Sequence, residues 1–352
     1  MNETIRIGSR VLGPGHKPFL IAEMSGNHNQ SLERALMIVE AAARSGAHAV
    51  KLQTYRADTM TLDSDSADFE IRDEGSLWKG KKLYDLYKEA ATPYEWHAPI
   101  MKRCQELGME CFSSPFDDEA VDFLMDLKVP CFKIASFEAT YFPLLKKVAK
   151  TGKPVIMSTG MASENEIRES VQYLQQHGCR GLILLKCTST YPATPEQTNI
   201  LTIPDMRSKF QTHVGLSDHT MGCGVAVASV ALGAVAIEKH FTLRRADGGV
   251  DSAFSMEPEE FKTLAVESER AFLALGHVTY GTQSENEEKS RKFRRSIYVS
   301  QDLKKGEVFS EKNLKCVRPA FGLSTKHFDS ILGKKSLHDL KKGTPLKLED
   351  VE

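Results

Sequence analysis

Short runs rich in Val, Ile, Phe and Cys recur along the chain, each followed by a polar break and then a longer stretch with apolar residues at helical spacing. The runs predict strands over Phe19–Met24, Ala49–Thr54, Glu110–Ser113, Cys131–Ala135, Val155–Ser158, Leu182–Cys187, His213–Leu216 and Ala234–Lys239. Between and after them the spacing predicts helices over Ser31–Ser45, Asp117–Asp126, Phe142–Lys150, Ser163–His177, Gly222–Leu232 and Pro258–Leu275. Ser31 is placed to cap the first helix, and Gly46 follows its end. The stretch from Asp63 to Leu107 is longer and is expected to hold a loop carrying Trp78, then one or two helices. Eight strand and helix units in roughly 280 residues have the size and order of an α/β fold closed as a (β/α)8 TIM barrel. An open doubly wound sheet is the alternative, although it rarely needs eight such units.

The pattern changes near Gly281. Residues 282–295 are polar and charged with a single Phe, and read as an exposed linker or a solvated helix. Beyond them lie short apolar pieces at Ser296–Ser300, Leu314–Pro319, Ile331–Leu332 and Pro345–Leu348, punctuated by Lys-Lys-Gly at 304–306 and 341–343. The expected organisation is a barrel domain over 1–281, a linker over 282–292 and a small β-rich domain over 293–352. A module of about 60 residues has a marginal core of its own, so it is expected to dock on a barrel or a partner subunit.

Composition narrows the class. A chain of 352 residues with 41% hydrophobic and 26% charged content is globular rather than disordered. The net charge of -1 carries no basic field for nucleic acid, but it is unevenly spread. Residues 293–352 hold 13 Lys and Arg against 8 Asp and Glu, a net +5 that leaves -6 for the rest. Seven cysteines without Cys-x-x-Cys spacing read as reduced thiols of a cytoplasmic protein. Met1 to Pro14 has no apolar core of a signal peptide, and no run approaches the roughly 18 apolar residues of a membrane span.

In a TIM barrel the reacting groups sit at the C-terminal ends of the strands, above an interior packed with apolar side chains. All eight predicted strand ends are polar. They offer Glu23, Ser25, Asn27 and His28; Lys51 and Gln53; Ser113 and Ser114; Lys133, Ser136 and Glu138; and Ser158 and Thr159. The last three offer Lys186, Ser189 and Tyr191; Ser217, Asp218 and His219; and Glu238, Lys239 and His240. Lys51 and Lys133 interrupt apolar strands, where a lone ammonium is costly unless an anion meets it. Converging with the hydroxyls of Ser114, Ser136 and Ser158, they make a cradle for a phosphate or carboxylate. The other reading pairs each lysine with a barrel carboxylate, Glu23 or Glu238. No Gly-x-x-x-x-Gly-Lys-Ser/Thr loop indicates a nucleoside triphosphate.

His219 and His240 end neighbouring strands, so their imidazoles can meet. Two histidines with oxygen ligands and no thiolate suit Mn²⁺ or Mg²⁺ better than structural zinc. Glu138 and Asp251 are candidates for gripping a polyol or moving protons, with a helix cap or loop ion pair as the other reading of Asp251. His28 either binds a ligand or closes a turn, and His48, His97, His177 and His277 are expected at the surface. Trp78 and Trp96 either cover a substrate or pack on helices.

Taken in order, Ile21-Ala-Glu23 with Asn27-His28, Lys51-Leu-Gln-Thr54, Ser113-Ser-Pro-Phe116, Lys133-Ile-Ala-Ser136, Ser158-Thr-Gly-Met161, Cys187-Thr188 with Tyr191-Pro192, Ser217-Asp-His-Thr220 and Glu238-Lys-His-Phe241 form a specific series. It resembles the nonulosonic acid synthases, the sialic acid synthase family. The tail, with Arg318-Pro319, Leu332-Gly-Lys334 and Lys341-Lys-Gly343, is similar to that family's antifreeze-like (SAF) domain. The resemblance implies a metal-dependent enzyme that condenses phosphoenolpyruvate with an acetamido-deoxy sugar and releases phosphate by C–O cleavage.

It further implies that Lys51, Ser114, Lys133, Ser136, Ser158 and Ser217 hold phosphoenolpyruvate, and that His219 and His240 hold a divalent cofactor, Mn²⁺, Mg²⁺ or Co²⁺. Gln53, Glu138, Ser189, Tyr191 and Asp251 fall on the sugar side, and Glu23 or Glu138 directs water or protons. Arg318 matches an arginine that one subunit places in the other's active site, which implies a domain-swapped homodimer. Phe137, Ser189 and Phe321 depart from the sialic acid pattern toward the pseudaminic acid branch. The substrate of that branch, 2,4-diacetamido-2,4,6-trideoxy-L-altrose, ends in a methyl group that Phe137 or Phe321 suits. Legionaminic and N-acetylneuraminic acid synthesis are the alternatives within the family. Outside it stand a Schiff-base aldolase using Lys51 or Lys133 as nucleophile, and a carbohydrate- or ice-binding protein.

Overall fold

The computed structural model describes residues 4–352. The first three residues of the expected barrel domain, and of the segment read for a signal peptide, lie outside the described residues. The chain divides into two compact units, one ending at Gly276 and the other running from His277 to Glu352.

The first unit opens with a hairpin of β1 (Ile5–Ile7) and β2 (Arg10–Leu12). Eight parallel strands follow: β3 (Phe19–Glu23), β4 (Ala49–Thr54), β5 (Glu110–Pro115), β6 (Phe132–Ile134), β7 (Val155–Ser158), β8 (Leu182–Cys187), β9 (His213–Ser217) and β10 (Ala236–His240). Each pairs with the next, and β10 pairs with both β9 and β3, which closes the expected TIM barrel and excludes the open sheet. Side chains alternate across the sheet. Phe19 and Ile21 of β3 join the inward cluster with Ala49, Phe112, Ile156 and Ile183. Leu20 and Ala22 pack outward against helix residues such as Ile38, Val39 and Ala42. The next inward position on β3 is Glu23, so one period supplies both the apolar floor and the first polar group above it.

The helices lie where the spacing places them, at Leu32–Arg44, Asp118–Asp126, Phe142–Ala149, Glu164–Gln176, Gly224–Ala231 and Pro258–Leu275. Their starts are capped locally: Ser31 accepts from the Arg34 N–H at 3.2 Å and Asp117 from the Ala120 N–H at 2.7 Å. Ser163 and Glu166 form a reciprocal capping box. The long connection after β4 contains helices Leu83–Ala90 and Tyr94–Glu106. No helix among the described residues is long and apolar enough to cross a membrane.

Three features depart from expectation. The hairpin has strands too short for alternation to register, yet Ile5, Ile7 and Leu12 join the inward apolar cluster. Helix Thr202–Phe210 follows β8, burying Ile203, Met206 and Phe210 despite Pro204 in its first turn. His97 is buried rather than superficial, with its ring nitrogens 2.7 Å from Thr54 Oγ1 and 3.1 Å from the Pro93 carbonyl. His48 is half-buried, and its Nδ1 accepts from the Leu20 N–H at 3.0 Å. His177 is half-buried too, and His277 is exposed as expected. His28 closes a turn by accepting from the Gln30 N–H, and Trp96 packs edge-on against it.

In the second unit the polar segment holds an exposed helix, Glu285–Ser290. Strands β11 (Ser296–Val299) and β12 (Leu314–Val317) pair antiparallel over a core that includes Ile297, Phe309, Ile331 and Leu346. The repeated Lys-Lys-Gly is one turn used twice. Leu303 and Leu340 exchange backbone hydrogen bonds at 2.8 Å, the Lys305 N–H donates to Asp339 and the Lys342 N–H donates to Asp302. Gly306 and Gly343 close the two turns at φ +85° and +90°, which glycine adopts without steric cost.

Candidate active site

A cavity of about 470 Å³ opens at the C-terminal ends of the barrel strands. Its floor is set by register. Glu23 lies opposite Lys51 across β3 and β4, and opposite His240 across β3 and β10. Gln53 and His240 stand one period above Lys51 and Glu238 on their own strands, so all four face the cavity.

The charged groups on this floor are almost fully buried. Lys51 Nζ is 3.1 Å from Glu23 Oε2 and 3.2 Å from Glu238 Oε1, and Lys133 Nζ is 3.8 Å from the same Glu238 oxygen. The reading that pairs the lysines with barrel carboxylates therefore describes this structure. Lys133 also donates to Ser158 Oγ at 2.7 Å and to the Ile134 carbonyl at 3.2 Å, while Ser217 donates to Glu238 at 3.3 Å.

Four ionisable groups share this space unequally. Burial opposes the charge on Lys51, but the carboxylates of Glu23 and Glu238 outweigh it and hold its pKa above the usual lysine range. Burial likewise opposes ionisation of Glu238, and the two ammoniums overcome it, leaving its pKa low. Burial dominates for the other two: Glu23 is pushed up to about 7 and Lys133 down to about 8. The cluster thus holds two cations against one firmly ionised carboxylate, an electrostatic deficit that an anion would fill.

The remaining hydroxyls are close by. Ser136 accepts from the Gly160 N–H at 3.1 Å. Ser189 is half-buried, and its Oγ lies 2.1 Å from where a Cβ on Gly160 would fall, with Ser136 Oγ at 2.8 Å from that point. A side chain at Gly160 would have to displace one of these hydroxyls. Ser114 is the register partner of Gln53, and its buried hydroxyl has no hydrogen-bond partner among the described residues.

Two imidazoles form one wall. The rings of His219 and His240 are 5.3 Å apart, and Tyr191 lies 4.4 Å from His219. His219 Nδ1 donates to the Thr188 carbonyl at 2.8 Å, which leaves Nε2 as the free lone pair. Burial holds the His240 pKa well below the usual value, and its Nδ1 is buried without a hydrogen-bond partner among the described residues. Asp251 Oδ2 is 3.8 Å from that nitrogen. No three His, Cys, Asp or Glu residues among those described are grouped tightly enough to hold a metal by themselves. Two imidazoles facing a polar cavity, with no other protein group crowded between them, do fit a divalent ion completed by water and ligand oxygens.

Glu138 stands apart. Among the described residues it has no cationic partner within ion-pair distance and its Oε2 lacks a hydrogen-bond partner, and burial lifts its pKa to about 7. Phe137, 63% exposed, lines the cavity beside it, and Trp78 forms another wall, donating from Nε1 to the Val250 carbonyl at 3.0 Å. Arg318 and Phe321 belong to the second unit.

Among the cavity residues to which sequence reasoning gave no role are Ser25, Tyr55 and Cys187. Ser25 carried a signal as a polar residue close after a strand-end carboxylate, and Cys187 as part of a strand-end motif.

Residues 38–280 match the NeuB family, and residues 294–352 match the SAF domain. The chain belongs to the NeuB family. A pseudaminic acid synthase from Campylobacter jejuni is 46% identical over 336 residues, spanning 96% of this chain and 97% of its own. One from Helicobacter pylori is 41% identical, spanning 95% and 98%. Among solved structures, the N-acetylneuraminic acid synthetase of Leptospira borgpetersenii, in complex with citrate, superposes with a TM-score of 0.72 at 31% identity, covering 81% of this chain and 94% of its own. The nonulosonic acid synthase expected from the motifs is met at the level of this family.

If Glu238 is the shared counter-ion, Glu238→Gln leaves two buried ammoniums underpaired and lowers the unfolding free energy by about 3 kcal/mol. Phosphate should restore more stability to the variant than it adds to the wild type. Urea unfolding with and without phosphate measures both effects, and equal gains would sink this account of the cluster.

Proposed function

We propose that this enzyme condenses phosphoenolpyruvate with 2,4-diacetamido-2,4,6-trideoxy-L-altrose to give pseudaminic acid and phosphate. The carrying observation is the buried cluster of Lys51 and Lys133 around Glu238, with Glu23 against Lys51 but held toward its neutral form by burial, which leaves a charge deficit at the mouth of the barrel. Phosphoenolpyruvate brings a phosphate and a carboxylate to that deficit. Lys51 and Lys133 would hold them as point charges, with Ser136, Ser158 and Ser217 as neutral donors. A divalent ion, Mn²⁺, Mg²⁺ or Co²⁺, on His219 and His240 would act as a Lewis acid toward a carbonyl oxygen.

Held in this way, C3 of the enol attacks the aldehyde carbon of the open-chain sugar, whose oxygen takes a proton. Water then adds at C2, loses a proton, and phosphate departs with the bridging oxygen. Glu138 is the better acceptor for the water proton. Burial pushes both carboxyls up to about 7, but Glu23 is tied to Lys51 and accepts from Gln53 at 2.9 Å, whereas Glu138 is in no ion pair among the described residues. The choice of sugar is supported by the relatives that bear the pseudaminic acid synthase name, and by the exposed ring of Phe137 in the cavity wall, an apolar surface for a methyl group. We further read Arg318 as entering the active site of a second copy of the chain in a domain-swapped homodimer.

Phosphate release from phosphoenolpyruvate across a panel of acetamido sugars should be fastest with the trideoxy-altrose and abolished by EDTA. Oxygen-18 in the bridging position should leave in phosphate, and finding it in the sugar acid would exclude C–O cleavage.

The pH profile of kcat/KM for phosphoenolpyruvate should be a narrow bell. It rises near pH 7 as Glu138 loses its proton and falls near pH 8 as Lys133 loses the charge that holds the anion. Glu138→Gln should remove the acid limb, and its survival would remove Glu138 from the role. Finally, mixing the inactive variants Lys133→Ala and Arg318→Ala should restore about a quarter of wild-type activity, because half of randomly paired dimers then hold one intact site. No recovery after subunit exchange would contradict the swapped dimer.

A further inference from the structure

Beyond β3 the chain turns sharply. The Asn27 N–H donates to the Met24 carbonyl at 3.1 Å, and the first residue inside that turn, Ser25, has φ +48°. This is the left-handed region, where a side chain crowds the backbone and glycine is the residue of choice. Ser25 is nonetheless a serine, 2% exposed and facing the cavity. The surroundings enforce the turn. Asn27 Nδ2 donates to the Phe241 carbonyl and to Ser255 Oγ, both at 2.9 Å, and Gly26 packs tightly against Ala90 and Val250. Strain held in place by its surroundings is commonly found where a side chain is needed for function.

The hydroxyl explains the serine. Ser25 Oγ donates to Asp251 Oδ2 and accepts from Gln53 Nε2 at 3.1 Å, joining two side chains that approach the cavity from opposite ends of the chain. Gln53 Nε2 also donates to Glu23 Oε1 at 2.9 Å. Both amide hydrogens of Gln53 are therefore spent on protein groups, and the atom left to meet a ligand is the acceptor Oε1. With Oδ2 of Asp251 taken by Ser25, Oδ1 is likewise left as an acceptor.

We propose that Ser25 is a positioning residue that orients Gln53 and Asp251 so that both present acceptors, selecting a sugar that offers donors there, such as an amide N–H and a hydroxyl. The inference rests on the acetamido-sugar reading above. It places Ser25 on the sugar side of the reaction and away from phosphoenolpyruvate, and it accounts for a strained residue where glycine would be easier to accommodate.

The test compares Ser25→Gly, which removes hydroxyl and strain together, with Ser25→Ala, which removes only the hydroxyl. Both should lower kcat/KM for the sugar by roughly 10- to 100-fold, the effect of losing a hydrogen bond to a charged group, while KM for phosphoenolpyruvate stays within about twofold. The melting temperature of Ser25→Gly should equal or exceed that of the wild type and lie above that of Ser25→Ala. Wild-type sugar kinetics in Ser25→Gly would overturn the proposal. So would an equal loss toward both substrates with a lowered melting temperature, which marks a merely structural serine. Wild-type enzyme that turns over no acetamido sugar would instead overturn the functional reading, and this proposal with it.

Discussion

The mouth of this barrel is organised by the cost of burying ammonium groups. Lys51 and Lys133 rise from strands whose inward residues below them are apolar, into a space closed by sheet on all sides. Neither charge survives there without a carboxylate in contact. Glu238 lies between the two lysines and answers both, and Glu23 completes the shell around Lys51. The arrangement stops short of neutrality, because burial keeps Glu23 only partly ionised near neutral pH. A buried floor with a small positive excess is a stronger anion site than the same lysines on a surface, where solvent would screen them.

Register and alternation carry the rest. On β3, Phe19 and Ile21 belong to the packed floor and Glu23 to the chemistry above it; on β4, Ala49 precedes Lys51 and Gln53; on β10, Ala236 precedes Glu238 and His240. A one-residue slip of any of these strands would send its polar residues among the helices and bring apolar ones into the cavity. Apolar packing below therefore specifies where the charges stand above. The same strand ends also hold His219 and His240 within ring contact, although 21 positions separate them in the chain.

Much of this was legible in the chain, and the misses have specific causes. His97 looked superficial because a histidine within a polar helix usually is. It is buried because the helix turns that face toward Thr54 on β4. The hairpin Ile5–Leu12 escaped because three-residue strands carry no readable period, and helix Thr202–Phe210 was obscured by its proline. Ser25 was visible only as a polar residue at a strand end. Its left-handed backbone and its two partners, Gln53 and Asp251, come from parts of the chain that no local pattern connects.

What the sequence determined by itself was local in origin: strand and helix periods, the count of eight units, the cap at Ser31, and the loading of every strand end with polar groups. These follow from side-chain spacing along a short stretch and need no knowledge of distant residues. Tertiary structure decided which charges meet. Lys51 could pair with Glu23, Glu238, both or neither, and Glu23 and Glu138 were equal candidates for moving a proton. Strand register brought Lys51 to both carboxylates and left Glu138 unpaired, and burial then moved each group's ionisation according to its neighbours. Pairing and burial are properties of the space between strands, so closure of the barrel had to come first.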